Sequence, residues 1–409
     1  MTISSSTAAP LVVEKHARRV ALVDILRGLA MVLMPLDHTR EFFTNYAGNP
    51  LDPQHTTLLL YLTRWITHLC APIFVFLAGT SIYLQLQRKT KVQLSVHLLK
   101  RGIGLILTEL TLVHLVFNFN WQWNVQILEV IWAIGVSMIV MAGLIHLSMQ
   151  ANFFIGVCIV VGHNLSDSLT AASFGHFGWL WHLLHVPGFI GGVSLTPPLV
   201  LVAYPFLPWL GVMILGYCFG LFLIQGGQKR KAWECNLGLT MLLAFVLLRW
   251  SNFYGDPLRW SYQAVWWRTI LSFLNVQKYP PSLLFLLVTM GLSALIAAGI
   301  ESLEEHDIWK RVRGVLQVYG RVPLFFFLLH LAFIHLLALA ISAARGENWH
   351  WWITEFPRGG VLTGHPRGYG YGLPFIWGIW LLVVTLLYPA CKWYADIKRS
   401  SRNAILSYF

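Results

Sequence analysis

Charge is what this sequence has least of. Of its 409 residues only 11% are charged and 56% are hydrophobic, against roughly 25% charged in soluble domains. That shortage excludes a water-solvated enzyme. It excludes disorder too, because a chain with a mean hydropathy of +0.62 cannot leave its apolar surface in water. Cysteine is also scarce. Cys70, Cys158, Cys218, Cys235 and Cys391 form no C-x-x-C pair, so they predict neither a disulfide framework nor a zinc site. Internal repeats and low-complexity segments are missing, which weighs against an inverted-repeat transporter. What remains is an all-α polytopic membrane protein.

Apolar length is what the chain has in quantity. A hydrocarbon core ~30 Å thick takes roughly 20 residues of helix. Ten segments meet that need: 20–43, 57–85, 95–117, 125–148, 153–168, 199–224, 235–251, 281–300, 322–344 and 373–395. A stretch bearing Trp and His, 174–189, reads as an interfacial or re-entrant helix. With the N-terminus placed in the cytoplasm, 19 of the 29 basic residues fall on the cytoplasmic side and eight on the other, the asymmetry of the positive-inside rule. The expectation is about ten transmembrane helices with both termini cytoplasmic. A short N-terminal segment (1–19) leads into one transmembrane domain (20–395) and a cytoplasmic tail (396–409). The same sorting accounts for the net charge of +12, so no nucleic-acid partner is expected. The lipid bilayer is the obligatory partner, and a monomer or a homodimer fits the composition. A polar start followed by an apolar run holding Asp24 and Arg27 does not read as a cleaved signal peptide.

Three non-cytoplasmic loops, 169–198, 252–280 and 345–372, are rich in Trp, Tyr, Gly and Pro. Their composition leaves two readings open, an interfacial aromatic belt or a docking face for a sugar or lipid headgroup.

Ionisable groups at membrane depth are costly and usually face an internal cavity. Arg27 and His38 stand eleven residues apart, three turns plus ~20°, which puts them on one helix face ~16 Å apart along the axis. Asp24 lies one turn before Arg27, and Pro35 predicts a kink beside Asp37 and His38. Such a face suits the wall of a tunnel. Asp24–Arg27 reads equally as a structural ion pair. Asp37–His38 reads either as an interfacial hydrogen-bonding pair or as a general base beside a carboxylate. Arg64 and His68, at i and i+4, join them if the first two helices are antiparallel neighbours, as a proton-handling cluster or a static network. Glu109 and Glu129 read as single buried acids with structural partners. His330 and His335 are five apart, ~140° around the helix, and so face different neighbours. Haem ligation by His68, His114, His330 and His335 would need pairs from facing helices. No resident metal is expected. Lys278 and Tyr279, in Lys278-Tyr279-Pro280-Pro281-Ser282, should sit at the outer mouth against an acceptor. Arg88, Lys89, Lys100, Arg101 and Arg321 match the phosphates of a nucleotide-bearing donor.

The opening Val23-Asp24-Ile25-Leu26-Arg27-Gly28, ending in Asp37-His38, resembles the transmembrane acyltransferase superfamily. The Arg-x10-His spacing is similar to that of the acyltransferase type 3 members, the bacterial sugar O-acetylases. Further blocks are more similar to the bacterial branch related to the catalytic domain of heparan-α-glucosaminide N-acetyltransferase. These are Thr63-Arg64-Trp65-Ile66-Thr67-His68, Cys70-Ala71-Pro72 onward to Gly79, and Lys278 to Ser282. Gly320-Arg321-Val322-Pro323-Leu324 with His330 and His335 follows, and then the terminal Leu406-Ser407-Tyr408-Phe409.

This resemblance implies a ten- or eleven-helix fold. It implies transfer of an acetyl group from cytoplasmic acetyl-CoA, a co-substrate rather than a tightly bound cofactor, to a sugar amine or hydroxyl across the membrane. In a bacterium that is the inner membrane. In the type 3 members the histidine matching His38 is the base. In the lysosomal enzyme an asparagine stands there and the base comes from the following loop, which here offers only His55. His38 and His55 therefore stay as alternatives, with His68 a third. His38 is favoured because Asp37, Arg64 and His68 can surround it. On this reading Asp37 orients His38 and Arg64 or His68 stabilises the oxyanion. Arg27, Arg88, Lys89, Arg101 and Arg321 hold the donor, while Lys278, Tyr279, His330 and His335 serve the acceptor. The competing readings are a transporter or lipid- or glycan-handling protein using the same polar face, and a structural membrane subunit.

Overall fold

The computed structural model describes residues 8–121, 123, 125–190, 199–225, 229–303, 306–354, 365–366 and 368–400, with backbone alone for 8–20 and 225. The terminal Leu406 to Phe409 block and most of the predicted tail lie outside the described residues. So do the side chains of the basic N-terminal segment.

Helices make up 76% of it. The first, α1 (Ala8–Phe43), runs unbroken through Pro35. Next, α2 (Leu58–Ile66) continues through a 3-10 turn at Thr67–Leu69 into α3 (Cys70–Leu86). Helix α4 (Lys91–Thr108) starts at a Thr90/Gln93 capping box, which satisfies two otherwise orphaned backbone donors. It passes through a π-helical turn (Glu109–Val113) into α5 (His114–Asn118). Strand β1 (Val125–Leu128) precedes α6 (Val130–Leu144) and α7 (Met149–Gly162). After α8 (Gly178–Leu184) come β2 (Gly188–Ile190), β3 (Leu199–Val202) and α9 (Phe206–Gln225). The rest is helical: α10 (Arg230–Ser251), α11 (Trp266–Leu274), α12 (Leu283–Ser302), α13 (Asp307–Arg321), α14 (Pro323–Ala344), α15 (Trp351–Thr354) and α16 (Leu373–Ser400).

Among the described residues seven helices are long and apolar enough to cross a membrane, against the ten predicted spans. They are 58–86, 149–166, α9, α10, α12, α14 and α16. The helices in the other three predicted spans fall short in apolarity or length. Helix α1 carries Asp24, Arg27, Asp37 and Arg40, α4 carries Lys91, Lys100 and Arg101, and α6 is only 15 residues long. The segment 174–189, expected as one helix, takes in the end of a 3-10 turn (Ala171–Phe177), α8 and the first residues of β2.

The all-α expectation needs one correction. A three-stranded sheet of order β1-β3-β2 pairs β1 parallel and β2 antiparallel to β3, with Val125 opposite Leu199 and Gly188 opposite Val202. The predicted spans 125–148 and 199–224 had absorbed β1 and β3. A short apolar run before a helix has no period of its own to separate it.

Four helix crossings are closed by glycine from both sides: Gly28 and Gly320 between α1 and α13, Gly79 and Gly216 between α3 and α9, Gly102 and Gly135 between α4 and α6, Gly238 and Gly291 between α10 and α12. A Cβ on Gly28 would stand 1.8 Å from the Leu316 carbonyl oxygen, and one on Gly320 1.8 Å from that of Asp24. Lipid offers helices no hydrophobic drive to associate, so close backbone contact through small residues takes its place. The α1–α13 crossing fixes Asp24, Arg27 and Arg321 relative to one another.

Candidate active site

Two polar groups lie along α1, and a cavity runs from the first toward the second. At one end Asp24 receives Arg27 Nη1 at 3.5 Å and Arg321 Nε at 3.5 Å. Arg27 also donates to the Gly320 carbonyl (3.1 Å) and Ser81 Oγ (2.9 Å), so it ties α1 to α13 and α3. A cavity of about 300 Å³ opens beside it, walled by Arg27, Arg101, Arg321 and Lys398 at this end and by Met31, Met34, Val130 and Phe327 further in. Lys398 reaches over to donate to the Arg321 carbonyl at 3.2 Å. Lys89 donates to Gln85, another wall residue, at 3.3 Å. Partial burial and the nearby Arg101 guanidinium lower the Lys89 ammonium from its ordinary range. Arg88, in the turn after α3, is not in the wall.

The inner wall comes close to His38 through two of its residues. Met34 is one turn before it on α1, and Phe327 meets its ring edge-on with centroids 6.3 Å apart. His330 lies 5.2 Å from His38, centroid to centroid. The His330 Nδ1 donates to the Phe326 carbonyl at 2.8 Å, leaving its buried Nε2 without a hydrogen-bond partner. The carboxylate nearest His38 is that of Glu41, one turn on, with Oε2 3.6 Å from Nδ1. The His38 side chain keeps 14% of its surface accessible.

Asp37 is held elsewhere. Arg40 Nη2 approaches it at 3.0 Å and Arg64 Nη1 at 3.1 Å. Arg64 Nη1 also donates to Thr67 Oγ1 at 2.9 Å and stands 3.5 Å from His68 Nδ1. Neighbouring residues on a helix do not face each other, which is why Asp37 meets two guanidiniums while His38 turns to Glu41. The expected cluster of one Asp, one Arg and two histidines is in fact Asp37 between Arg40 and Arg64, with His68 behind Arg64 and His38 beside it. Buried His68 leaves its Nε2 unpartnered.

Lys278 is buried, its ammonium 5.1 Å above the Tyr279 ring and 5.9 Å from that of Tyr204. The two tyrosine hydroxyls stand 3.4 Å apart. This trio lies within electrostatic reach of Asp37 and Arg64. Glu129 faces the same space, within reach of His38, Glu41, Lys278 and Asp37, and its backbone N–H donates to Glu109 at 2.9 Å. His335 packs apart, stacked on Phe119 at 4.2 Å and flanked by Phe42 and Trp352. His55 lies in the loop after α1, 73% exposed and 2.6 Å from Asp52.

The structure thus brings together Asp37, His38, Arg64, His68, Lys278, Tyr279 and His330, and separately Arg27, Arg101 and Arg321 with Lys89 close by. His55, His335 and Arg88 stand outside both groups. Sequence reasoning missed Arg40, Glu41, Tyr204 and Lys398 and read Glu129 as structural. Arg40 and Glu41 had a usable signal, three residues after Asp37 and His38 respectively. The others reach the site only through tertiary structure.

A family model described as heparan-alpha-glucosaminide N-acetyltransferase, catalytic, matches residues 19–254, more than half of the chain. The chain belongs to that family. It is accordingly a multi-pass membrane acyltransferase. No curated protein matches the sequence. The matched segment runs from α1 through α10 and holds Arg27, His38, Arg64, Arg101 and Glu129. Lys278, Arg321, His330 and Lys398 come from the remainder and fold back onto it. Both polar groups are therefore composite, built from the family segment and from the chain that follows it.

Proposed function

We propose that this protein moves an acetyl group from acetyl-CoA, entering from the cytoplasmic side at the basic mouth, to an amine or hydroxyl of a sugar presented on the opposite face. On this reading both termini are cytoplasmic and the membrane is the inner membrane of a bacterium. The carrying observation is the 300 Å³ cavity that runs from Arg27, Arg101, Arg321 and Lys398 to Phe327, against the His38 ring. Four cations suit the phosphates of the donor. The ~16 Å of helix between Arg27 and His38 gives an extended thioester arm room to reach the histidine.

Glu41, facing Nδ1, favours the tautomer with its proton there and leaves the Nε2 lone pair as the base. At 3.6 Å the contact is long, and catalytic hydrogen bonds often tighten only when substrate is bound. His38 takes the proton of the acceptor N–H or O–H as that atom attacks the thioester carbonyl carbon. Arg64, His68 and Lys278 supply positive or donor groups for the oxyanion, a contribution often worth ~3 kcal/mol. Collapse of the tetrahedral intermediate breaks the C–S bond, and the departing thiolate takes the proton from His38. Lys278, Tyr279 and Tyr204 form the wall nearest the acceptor.

The test is CoA release from acetyl-CoA by the protein in nanodiscs, with amino-sugar and envelope-glycan acceptors. Acceptor-dependent release should fall by ~10²–10⁴-fold in His38→Ala, with donor binding in a thermal-shift assay unchanged. Turnover retained in that variant, or a wild-type protein that moves the sugar without consuming thioester, would overturn the reading.

A further inference from the structure

A second cluster lies where α7 ends, away from α1. His163 follows α7 directly and is 94% buried, being 6% exposed, yet neither Nδ1 nor Nε2 has a hydrogen-bond partner. His185, just after α8, is completely buried. Its Nε2 stands 3.1 Å from Asp167 Oδ1, while its Nδ1 is unpartnered. The two imidazoles meet edge-to-face at 5.4 Å. One ligand atom from each of His163, Asp167 and His185 lies within 4.8 Å of the others. Buried polar atoms are ordinarily satisfied. A buried histidine with neither nitrogen satisfied, beside a second buried histidine already on a carboxylate, is unusual.

The structure assigns a zinc site to His163, Asp167 and His185. Zn²⁺ takes His nitrogen and Asp oxygen at ~2.0–2.2 Å, and tetrahedral bonds of that length set neighbouring ligand atoms ~3.3 Å apart. The 3.1 Å between His185 Nε2 and Asp167 Oδ1 is already close to that spacing, and the His163 nitrogen closes on the pair from within 4.8 Å. Water fills the fourth position. An outer shell is in place as well: Asn164 Nδ2 donates to Asp167 Oδ2 at 2.7 Å, fixing the carboxylate. Asn164 Oδ1 in turn accepts from the Leu283 N–H at 2.9 Å. The ion would therefore fasten the 167–185 segment to α7 and, through Asn164, to the start of α12, just beyond Lys278 and Tyr279. This fastening is independent of acyl transfer.

The chain, purified without a metal-affinity tag, should retain about one Zn²⁺ per molecule through gel filtration. Stripping with a chelator should lower Tm in detergent, and Zn²⁺ alone should restore it. In His185→Gln and Asp167→Asn, zinc affinity should fall at least about ten-fold. Zinc-edge X-ray absorption of the wild type should show imidazole nitrogen and carboxylate oxygen at ~2.0–2.2 Å, a readout that stands even where a variant does not fold. A folded, stripped protein that takes up no Zn²⁺ would overturn the assignment. So would zinc that binds both variants as tightly as the wild type, or a spectrum showing sulfur or no imidazole.

Discussion

Two cavities among the described residues differ in character, and the larger is the less interesting. It measures about 760 Å³ and is walled by apolar side chains such as Phe76, Phe153, Leu215, Met241 and Leu287, with Glu234 a rare polar member. The smaller, about 300 Å³, has Arg27, Arg101, Arg321 and Lys398 at one end and reaches Phe327, beside His38, at the other. In a membrane protein an apolar hollow between helices is what lipid tails and loose packing produce. Cations around a cavity cost free energy to place there. Chemistry should therefore follow the charge and not the volume.

Filling each cavity gives the sharpest contrast. Ala78 lines the small cavity and Ala294 the large one. Ala78→Phe should lower kcat/KM for the acyl donor by at least about ten-fold, because a phenyl ring in an already narrow path excludes the donor arm. Ala294→Phe should change it less than about two-fold. Thermal unfolding of both variants, read alongside, separates blockage from misfolding. Equal losses in two equally stable variants would erase the distinction.

The charge at the narrow mouth gives the next largest effect. Arg321 is 47% exposed on its side chain, and its buried partner Asp24 keeps Arg27 when Arg321 is neutralised. Arg321→Gln together with Lys398→Gln should raise the KM for the donor roughly three- to ten-fold with little change in kcat. The dependence of KM on ionic strength should become shallower, since exposed charges are screened by salt. A drop in kcat at unchanged KM would move these residues out of donor binding.

These contrasts also mark what the sequence could and could not show. The ladder Asp24, Arg27, Asp37, His38 was legible because helical spacing alone puts Arg27 and His38 on one face. Arg64 and His68 were legible for the same reason. Which carboxylate serves His38 was not. Adjacency in sequence pointed to Asp37, but helix geometry gives that acid to Arg40 and Arg64 and leaves Glu41 to the histidine. Glu129 was read as structural and Tyr204 escaped because both follow strands that hydropathy had merged into helices. Ala203 and Tyr204 N–H groups bond to the Leu128 carbonyl at 3.0 and 3.1 Å, bringing the two strand ends to one place. Lys398 sat in a basic tail that orientation already explained. The zinc ligands were invisible for another reason: His163 and Asp167 are separated in sequence from His185 by a short helix and loop, with no ligand spacing that marks a metal site.

The smallest effect concerns His55, the alternative base. Its imidazole hydrogen-bonds Asp52 in an exposed turn, and that bond leads the influences holding the Asp52 carboxyl below its ordinary value. Because the folded-state value is depressed, the stability the pair adds is present at neutral pH. It begins to fade as pH falls past the ordinary Asp value of ~3.9 and is lost below it. With side chains 73% and 35% exposed, solvent screening limits the pair to at most ~0.2–1 kcal/mol. His55→Ala should therefore leave turnover within about two-fold of wild type and remove a slight acid-side shoulder from the pH dependence of Tm. A loss of turnover as deep as that of His38→Ala would reverse the assignment. The base would then be recruited from the loop, by a movement that carries His55 from its turn to the mouth beside Lys278.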